Sequence, residues 1–201
     1  GVLVGKKPLI FTNNDSGYET AIEFKKNGVE PIILDTRKDP QSEIIDEAKS
    51  LSIKIKFSYV VVAAKGYKKV KSAEIAKISD DKNKLGLLEN INCDCICVSG
   101  FWTPTIHLAS QSGNKTKFNQ DIDAFVPGLS KQNETTLGAA NGTFTLEETL
   151  KNSFNSGYEL SKKITNNDNK VSFPIVIEKK STQHDKFWCV PLPKGKNYKR
   201  F

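Results

Sequence analysis

Residues 8–35 read PLIFTNNDSGYETAIEFKKNGVEPIILD, and the fold turns on how this stretch is parsed. PLIFT is short, apolar and β-branched, which marks a buried strand. Residues 15–27 place Tyr18, Ala21, Ile22 and Phe24 at helical spacing, and Asn27-Gly28 is a helix stop. PIILD is a second buried strand ending on an acid. Strand, tight turn, helix and strand is the setting of a dinucleotide-binding loop, whose fingerprint is G-x-G-x-x-G. On that frame this chain reads Thr12-Asn13-Asn14-Asp15-Ser16-Gly17. Two asparagines tolerate a left-handed turn, and Gly17 keeps the close approach of helix to strand. Asn14, however, puts a side chain where pyrophosphate would come. Asp15 adds a negative charge at the helix start, where it is expected to cap the helix and to use amides that an anion needs. Asp35 lies eighteen residues past Gly17, where a ribose-binding acid belongs. The loop therefore reads as a retained fold with weakened or lost binding, empty of phosphate.

Outward from this stretch, the predicted order is β-α-β-α-β-meander-β. Pro40 opens a helix over 40–51. IKIKFSYVVVAAKG, KKVKSAEIAKIS and LGLLENINC form an inserted three-stranded sheet, and CDCICVSG (93–100) returns as a fully buried central strand. The fold class is α/β: a Rossmann-type βαβ unit with an inserted β-meander over about residues 6–100. From Phe101 the character changes. FWTPTIHLASQSGN reads as a loop and short turn, KFNQDIDAFVPG as irregular chain with a strand-like piece, and 136–164 as a short strand, a glycine-bearing turn and a long helix from about Thr145. Thr143 or Thr145 can cap that helix, with Glu147 and Glu148 complementing its dipole. TNNDN (165–169) is a linker, and the remainder holds one extended stretch. The expected domains are 1–108, 109–165 and 166–201.

The chain has 201 residues and a net charge of +7, yet 28 of its 30 basic residues are lysines scattered among 23 acids. Nucleic-acid readers concentrate charge and use arginine forks, so no nucleic-acid partner is expected. No apolar run approaches a membrane span, and no membrane is expected. Cys93, Cys95, Cys97 and Cys189 match neither zinc knuckles nor a disulfide framework and read as small buried thiols in a reducing cytoplasm. His107, His184, Asp121 and Asp123 lack partners at telling spacing. With Gly1 first and Met absent, the sequence reads as a piece processed or cut from something longer.

Three stretches together carry a resemblance. VSGFWTPTIHL (98–108) and GAANGTFTL (138–146) resemble segments of flavin-linked disulfide reductases. More closely, FTNNDSGY, SGFWTPTIHLASQSG and GAANGTFTLEETL are similar to the alpha subunit of heterotetrameric sarcosine oxidase, in order and along nearly the whole chain. The resemblance implies a complex that oxidatively demethylates sarcosine to glycine, with NAD on the alpha subunit, FAD and FMN elsewhere in the complex, and beta, gamma and delta subunits as partners. It implies that residues 109–165 are the returning part of a second dinucleotide-binding domain. The NAD-binding residues it implies here are Gly138, Ala139, Phe144, Thr145 and Leu146, completed by a segment outside this sequence. Where the reductases have Gly-Asp, this chain has Gly138-Ala139, which removes an acid that would anchor FAD. No catalytic residue and no metal ligand is expected in the chain, and on its own it is expected to have no oxidase activity.

Overall fold

The computed structural model describes residues 2–165, 172, 176, 185–187 and 189–192. They fall into two compact units, one of Gly1–Phe101 with Ser181–Phe201 and one of Trp102–Lys180. Among the described residues no helix is long and apolar enough to cross a membrane. The linker 165–169 and the extended stretch expected after it lie largely outside the described residues, as does His184.

The first unit is built on β1 (Pro8–Thr12), α1 (Ser16–Lys26), β2 (Ile32–Asp35), α2 (Glu43–Ser50) and β3 (Lys54–Phe57). It continues through the meander β4 (Tyr59–Gly66), β5 (Val70–Ile78) and β6 (Leu85–Asn92) to β7 (Cys95–Ser99). The order β3-β2-β1-β7 is parallel throughout, and β4-β5-β6 is a separate antiparallel sheet. The period of two along the strands sorts side chains to the two faces. Ile10 and Ile33 meet Tyr18, Ala21 and Ile22 of α1 and Ile45 and Ala48 of α2. Leu9 and Leu34 point the other way, against Ala73 and Ile75 of the meander. The parallel sheet is thus covered on both faces, as its continuous apolar strands require. Each fully buried Leu or Ile contributes about 1.5–3 kcal/mol.

Three expectations are corrected here. IKIKF does not open the meander: Lys54–Phe57 is the edge strand of the parallel sheet, paired with β2. Ser58, at φ 56°, then redirects the chain into β4. The cysteine strand begins at Cys95 rather than Cys93, and β7 is an edge strand with half-buried residues, not a buried central one. Of the four cysteines expected to be buried only Cys93 is, on the meander side; Cys95 and Cys97 are half-buried on a shared face with sulfurs 3.7 Å apart, and Cys189 is exposed. Burial first, and then Cys95, push the Cys97 thiol up to about 11, which keeps it protonated and unreactive.

The second unit holds α3 (His107–Gln111), the hairpin β8 (Thr116–Asn119) and β9 (Ala124–Pro127), a 3-10 turn (Gly138–Asn141) and α4 (Leu146–Thr165). FWTPTIHLASQSGN therefore contains a short helix, and the stretch expected to be irregular is a hairpin held by a Phe118–Phe125 edge-to-face pair. The strand expected before Gly138 does not form. Gly138 sits at φ 66° and Gly142 at φ 82°, so glycine turns the chain there instead.

Candidate nucleotide-binding crevice

In an open parallel α/β sheet, ligands bind beyond the carboxyl ends of the strands. Here that edge is formed by Thr12, Asp35 and Ser99, with the turn 13–17 above it. Gly17 does what its place in the fingerprint demands. A Cβ on it would lie 2.6 Å from Thr12 Cβ, so only glycine lets α1 start this close to β1.

The rest of the turn is closed by its own side chains. Asn14 is buried, and its Oδ1 accepts from the Ser16 amide at 2.9 Å and the Ser16 hydroxyl at 2.7 Å. Its Nδ2 donates to the Ser99 carbonyl at 3.1 Å, so one asparagine ties the helix start to the end of β7. Thr12 Oγ1 donates to the Asn14 carbonyl at 2.9 Å and accepts from the Asn14 amide at 3.2 Å. An amide that a pyrophosphate would need is already used.

Asp15 does not cap α1, contrary to expectation; it makes no capping hydrogen bond at the N-cap position. Its carboxylate instead accepts from Arg37 Nη1 at 2.8 Å. The same guanidinium donates to Asp35 from Nη2 at 2.8 Å and from Nε at 3.1 Å, and the Tyr18 hydroxyl donates to Asp35 at 2.7 Å. Arg37 also lies 5.9 Å from the Tyr18 ring centre. All four groups are buried. The pull of a planar, bidentate cation outweighs that of the helix amides. Burial works to lower the Arg37 pKa, and Asp35 and then Asp15 outweigh it, so the guanidinium is held above its ordinary range. Burial, reinforced by Asp35, pushes the Tyr18 phenol upward and keeps it a donor.

Asp35 consequently has no capacity left for a ribose. The residues of this turn do not fit a dinucleotide: the glycine that admits pyrophosphate is Asn14, and the ribose acid is spent on Arg37. Arg37 was the missed residue. Its signal was its type, since it is one of two arginines in the sequence and follows two residues after a strand-terminal acid. Ser99 carried no signal, because its role depends on β7 pairing with β1.

The residues expected to touch NAD lie in the second unit. Gly138 is buried against Thr149, where an added Cβ would come within 3.2 Å of Thr149 Cγ2. Ala139, Thr145 and Leu146 are exposed and Phe144 half-buried. Thr145 caps α4, with the Glu148 amide donating to Thr145 Oγ1 at 3.4 Å, and the Thr145 hydroxyl donates to the Glu148 carboxylate at 3.0 Å. The Gly142 and Thr143 amides are bonded within the turn, each at 3.1 Å, and Glu147 and Glu148 place negative charge at the helix start, which opposes a phosphate on its amides. Among the described residues no group of three or more His, Cys, Asp or Glu could hold a metal ion.

No family model matches the chain. It is 33% identical over 142 residues to the sarcosine oxidase subunit alpha of Rhizobium meliloti (strain 1021), covering 70% of this chain and 13% of that protein. It is 27% identical over 146 residues to the subunit alpha of Corynebacterium sp. (strain P-1), covering 72% of this chain and 15% of the relative. The chain thus spans about an eighth to a seventh of the curated relatives it matches. Among solved structures, Lactococcus lactis thioredoxin reductase superposes with a TM-score of 0.54 at 15% identity, over 69% of this chain and 46% of that one. The flavoprotein disulfide reductase RclA of Escherichia coli gives 0.54 at 13% identity, over 81% of this chain and 36% of that one. By sequence the chain is related to a short stretch of the sarcosine oxidase alpha subunits, and by fold to the nucleotide-binding modules of the flavin-linked disulfide reductases.

Proposed function

We propose that this chain is part of the alpha subunit of a heterotetrameric sarcosine oxidase and that it serves there as scaffold, without the amine-oxidising site. The parent reaction takes sarcosine, dioxygen and tetrahydrofolate to glycine, hydrogen peroxide and methylene-tetrahydrofolate. The observation that carries the scaffold role is the closed turn at 12–17, where Asn14 occupies the Ser16 amide and Arg37 consumes both Asp15 and Asp35. In this reading the turn of the second unit, Gly138 and Ala139 with Phe144, Thr145 and Leu146, lends one wall to an NAD site that residues outside this sequence complete. FAD and FMN belong to other parts of the complex, with the beta, gamma and delta subunits, in the cytoplasm. The similarity to two sarcosine oxidase alpha subunits supports the assignment to this complex.

A second reading is a non-catalytic interaction domain in a related N-methyl amine or imino-acid dehydrogenase complex. The exposure of Leu146, Leu150, Leu160 and Ile164 on α4, none of whose described residues is buried, favours it. Purifying the intact parent protein with its co-purifying subunits, identifying the nucleotides released on denaturation, and assaying peroxide release from a panel of N-methyl amines separates the two. Sarcosine-dependent peroxide with bound NAD is expected. A micromolar NAD constant by calorimetry on this 201-residue chain would overturn the divided site.

A further inference from the structure

The crevice beyond the strand ends is partly filled, and what fills it belongs to the chain itself. Residue 185 stands 150 residues beyond the end of β2, yet it is bonded to the turns after β1 and β2 within the first unit. The Asp185 amide donates to the Asn13 carbonyl at 2.9 Å, and Asn13 Nδ2 donates to the Asp185 carbonyl at 2.8 Å. One residue is thus held through both faces of its backbone by the residue that follows β1. Its carboxylate accepts from the Thr36 hydroxyl at 3.1 Å, just beyond the strand end that carries Asp35. Its other oxygen is paired with the Lys82 ammonium from the β5–β6 turn. Lys82 also lies 5.9 Å from the centre of the Phe187 ring. Phe187, Cys189 and Val190 then form one wall of a cavity of about 190 Å³, whose floor includes Phe11, Thr12 and Ser99.

We infer that residues 185–187, with 189 and 190, act as an intramolecular ligand of the Rossmann unit, with Asp185 as the anchor that fills the place a dinucleotide takes in an open sheet of this type. The chemistry is that of a bound anion. A carboxylate is met by a hydroxyl and a cation, while its peptide group is read by an asparagine at the head of the turn. Tethering makes the contact effective. A segment of the same chain acts at an effective concentration of about millimolar without any loss of free translation, so a free nucleotide that lacks a phosphate cradle cannot displace it. The inference concerns the first unit alone and does not depend on which reaction the parent protein performs.

Hydrogen–deuterium exchange on the full chain, read by mass spectrometry, tests it. In the wild type, peptides spanning 185–190 are expected to exchange at least about tenfold more slowly than an unstructured chain. Asp185→Ala and Lys82→Ala should each accelerate exchange in that peptide by about threefold or more, leaving peptides from β2 and β5 unchanged. Lys82 stands on a partly exposed turn, so its variant remains informative if Asp185→Ala folds poorly. Millimolar NAD is expected to leave wild-type protection of 185–190 as it was. Wild-type exchange at the unstructured rate, no acceleration in Lys82→Ala, or a loss of protection on adding NAD would each overturn the inference.

Discussion

Two turns in this chain look alike on paper and differ in physics. Each carries glycine and asparagine, and each leads into an amphipathic helix. In the first, residues 12–17, Thr12, Asn13, Asn14 and Asp15 are all buried, and the side chains of the turn bond to one another, to Ser99, to Arg37 and to Asp185. In the second, residues 138–146, two glycines sit at positive φ, only Gly138 is buried, and the helix that follows buries none of its described residues. A helix N-terminus is a generic anion site only while its amides are free. The comparison teaches that occupancy by neighbouring side chains, rather than the presence of the motif, decides whether such a site survives.

The largest expected effect comes from the centre of the closed turn. Arg37→Met leaves the Asp15 and Asp35 carboxylates buried without their cation, a loss of about 3–5 kcal/mol. Urea unfolding measures it, and a loss under about 1 kcal/mol would mean that the network is not what holds the turn shut. Arg37→Lys should recover only part, because a single ammonium cannot reproduce the forked contacts to two carboxylates.

Glycine contrasts the turns more directly. Gly17→Ala forces a methyl to within 2.6 Å of Thr12 Cβ at the junction of α1 and β1, an overpacking cost of about 1–3 kcal/mol. Gly138→Ala meets Thr149 at a gentler 3.2 Å but at φ 66°, so it pays about 1–2 kcal/mol of left-handed backbone strain. Thermal melts of the two variants should rank them in that order, and the reverse order would show that the second turn is the more rigid one.

A smaller loss, about 1 kcal/mol, is expected for Thr145→Ala, which removes the cap of α4. Circular dichroism should show fraying of that helix alone. Spread of the loss to the rest of the second unit would show that α4 is better anchored than its exposure implies.

The smallest effect is a pH dependence at the entry to the first unit. The Lys6 and Lys7 amides, each 2.8 Å from an Asp94 oxygen, hold its carboxyl below the ordinary 3.8. A depressed folded pKa contributes stability that is present above the unfolded value and is lost as pH falls through the folded one. The stability gap between wild type and Asp94→Asn should therefore be constant from neutral pH down to about pH 5 and close below about pH 4. Because Asp94 is exposed, solvent screening keeps the gap small, and a gap that widened on acidification would reverse the assignment.

The order of strands and helices in the first unit, the close helix start at Gly17 and the loss of the phosphate-admitting glycine were all legible in the sequence. These rest on local periodicity and on what one side chain can or cannot do in a tight turn. That α4 is capped by a threonine was legible for the same reason, although the sequence offered Thr143 or Thr145 and the structure takes Thr145. What was not legible depends on pairing between distant residues. IKIKF alternates like a meander strand, and only the vacancy beside β2 draws it into the parallel sheet. The cysteine strand reads as central from its apolar run, yet the strand order leaves it at the edge. Asp15 is a good cap by type, and a buried arginine 22 residues away outbids the helix amides for it. Asp35 sits where a ribose acid belongs, and the tertiary fold surrounds it with Arg37 and Tyr18. Least legible of all was Asp185, 172 residues from Asn13. Side-chain chemistry set what each of these groups could bind, and tertiary structure decided which partner reached it first, because a buried charge must be matched within hydrogen-bond distance wherever that match lies in the sequence.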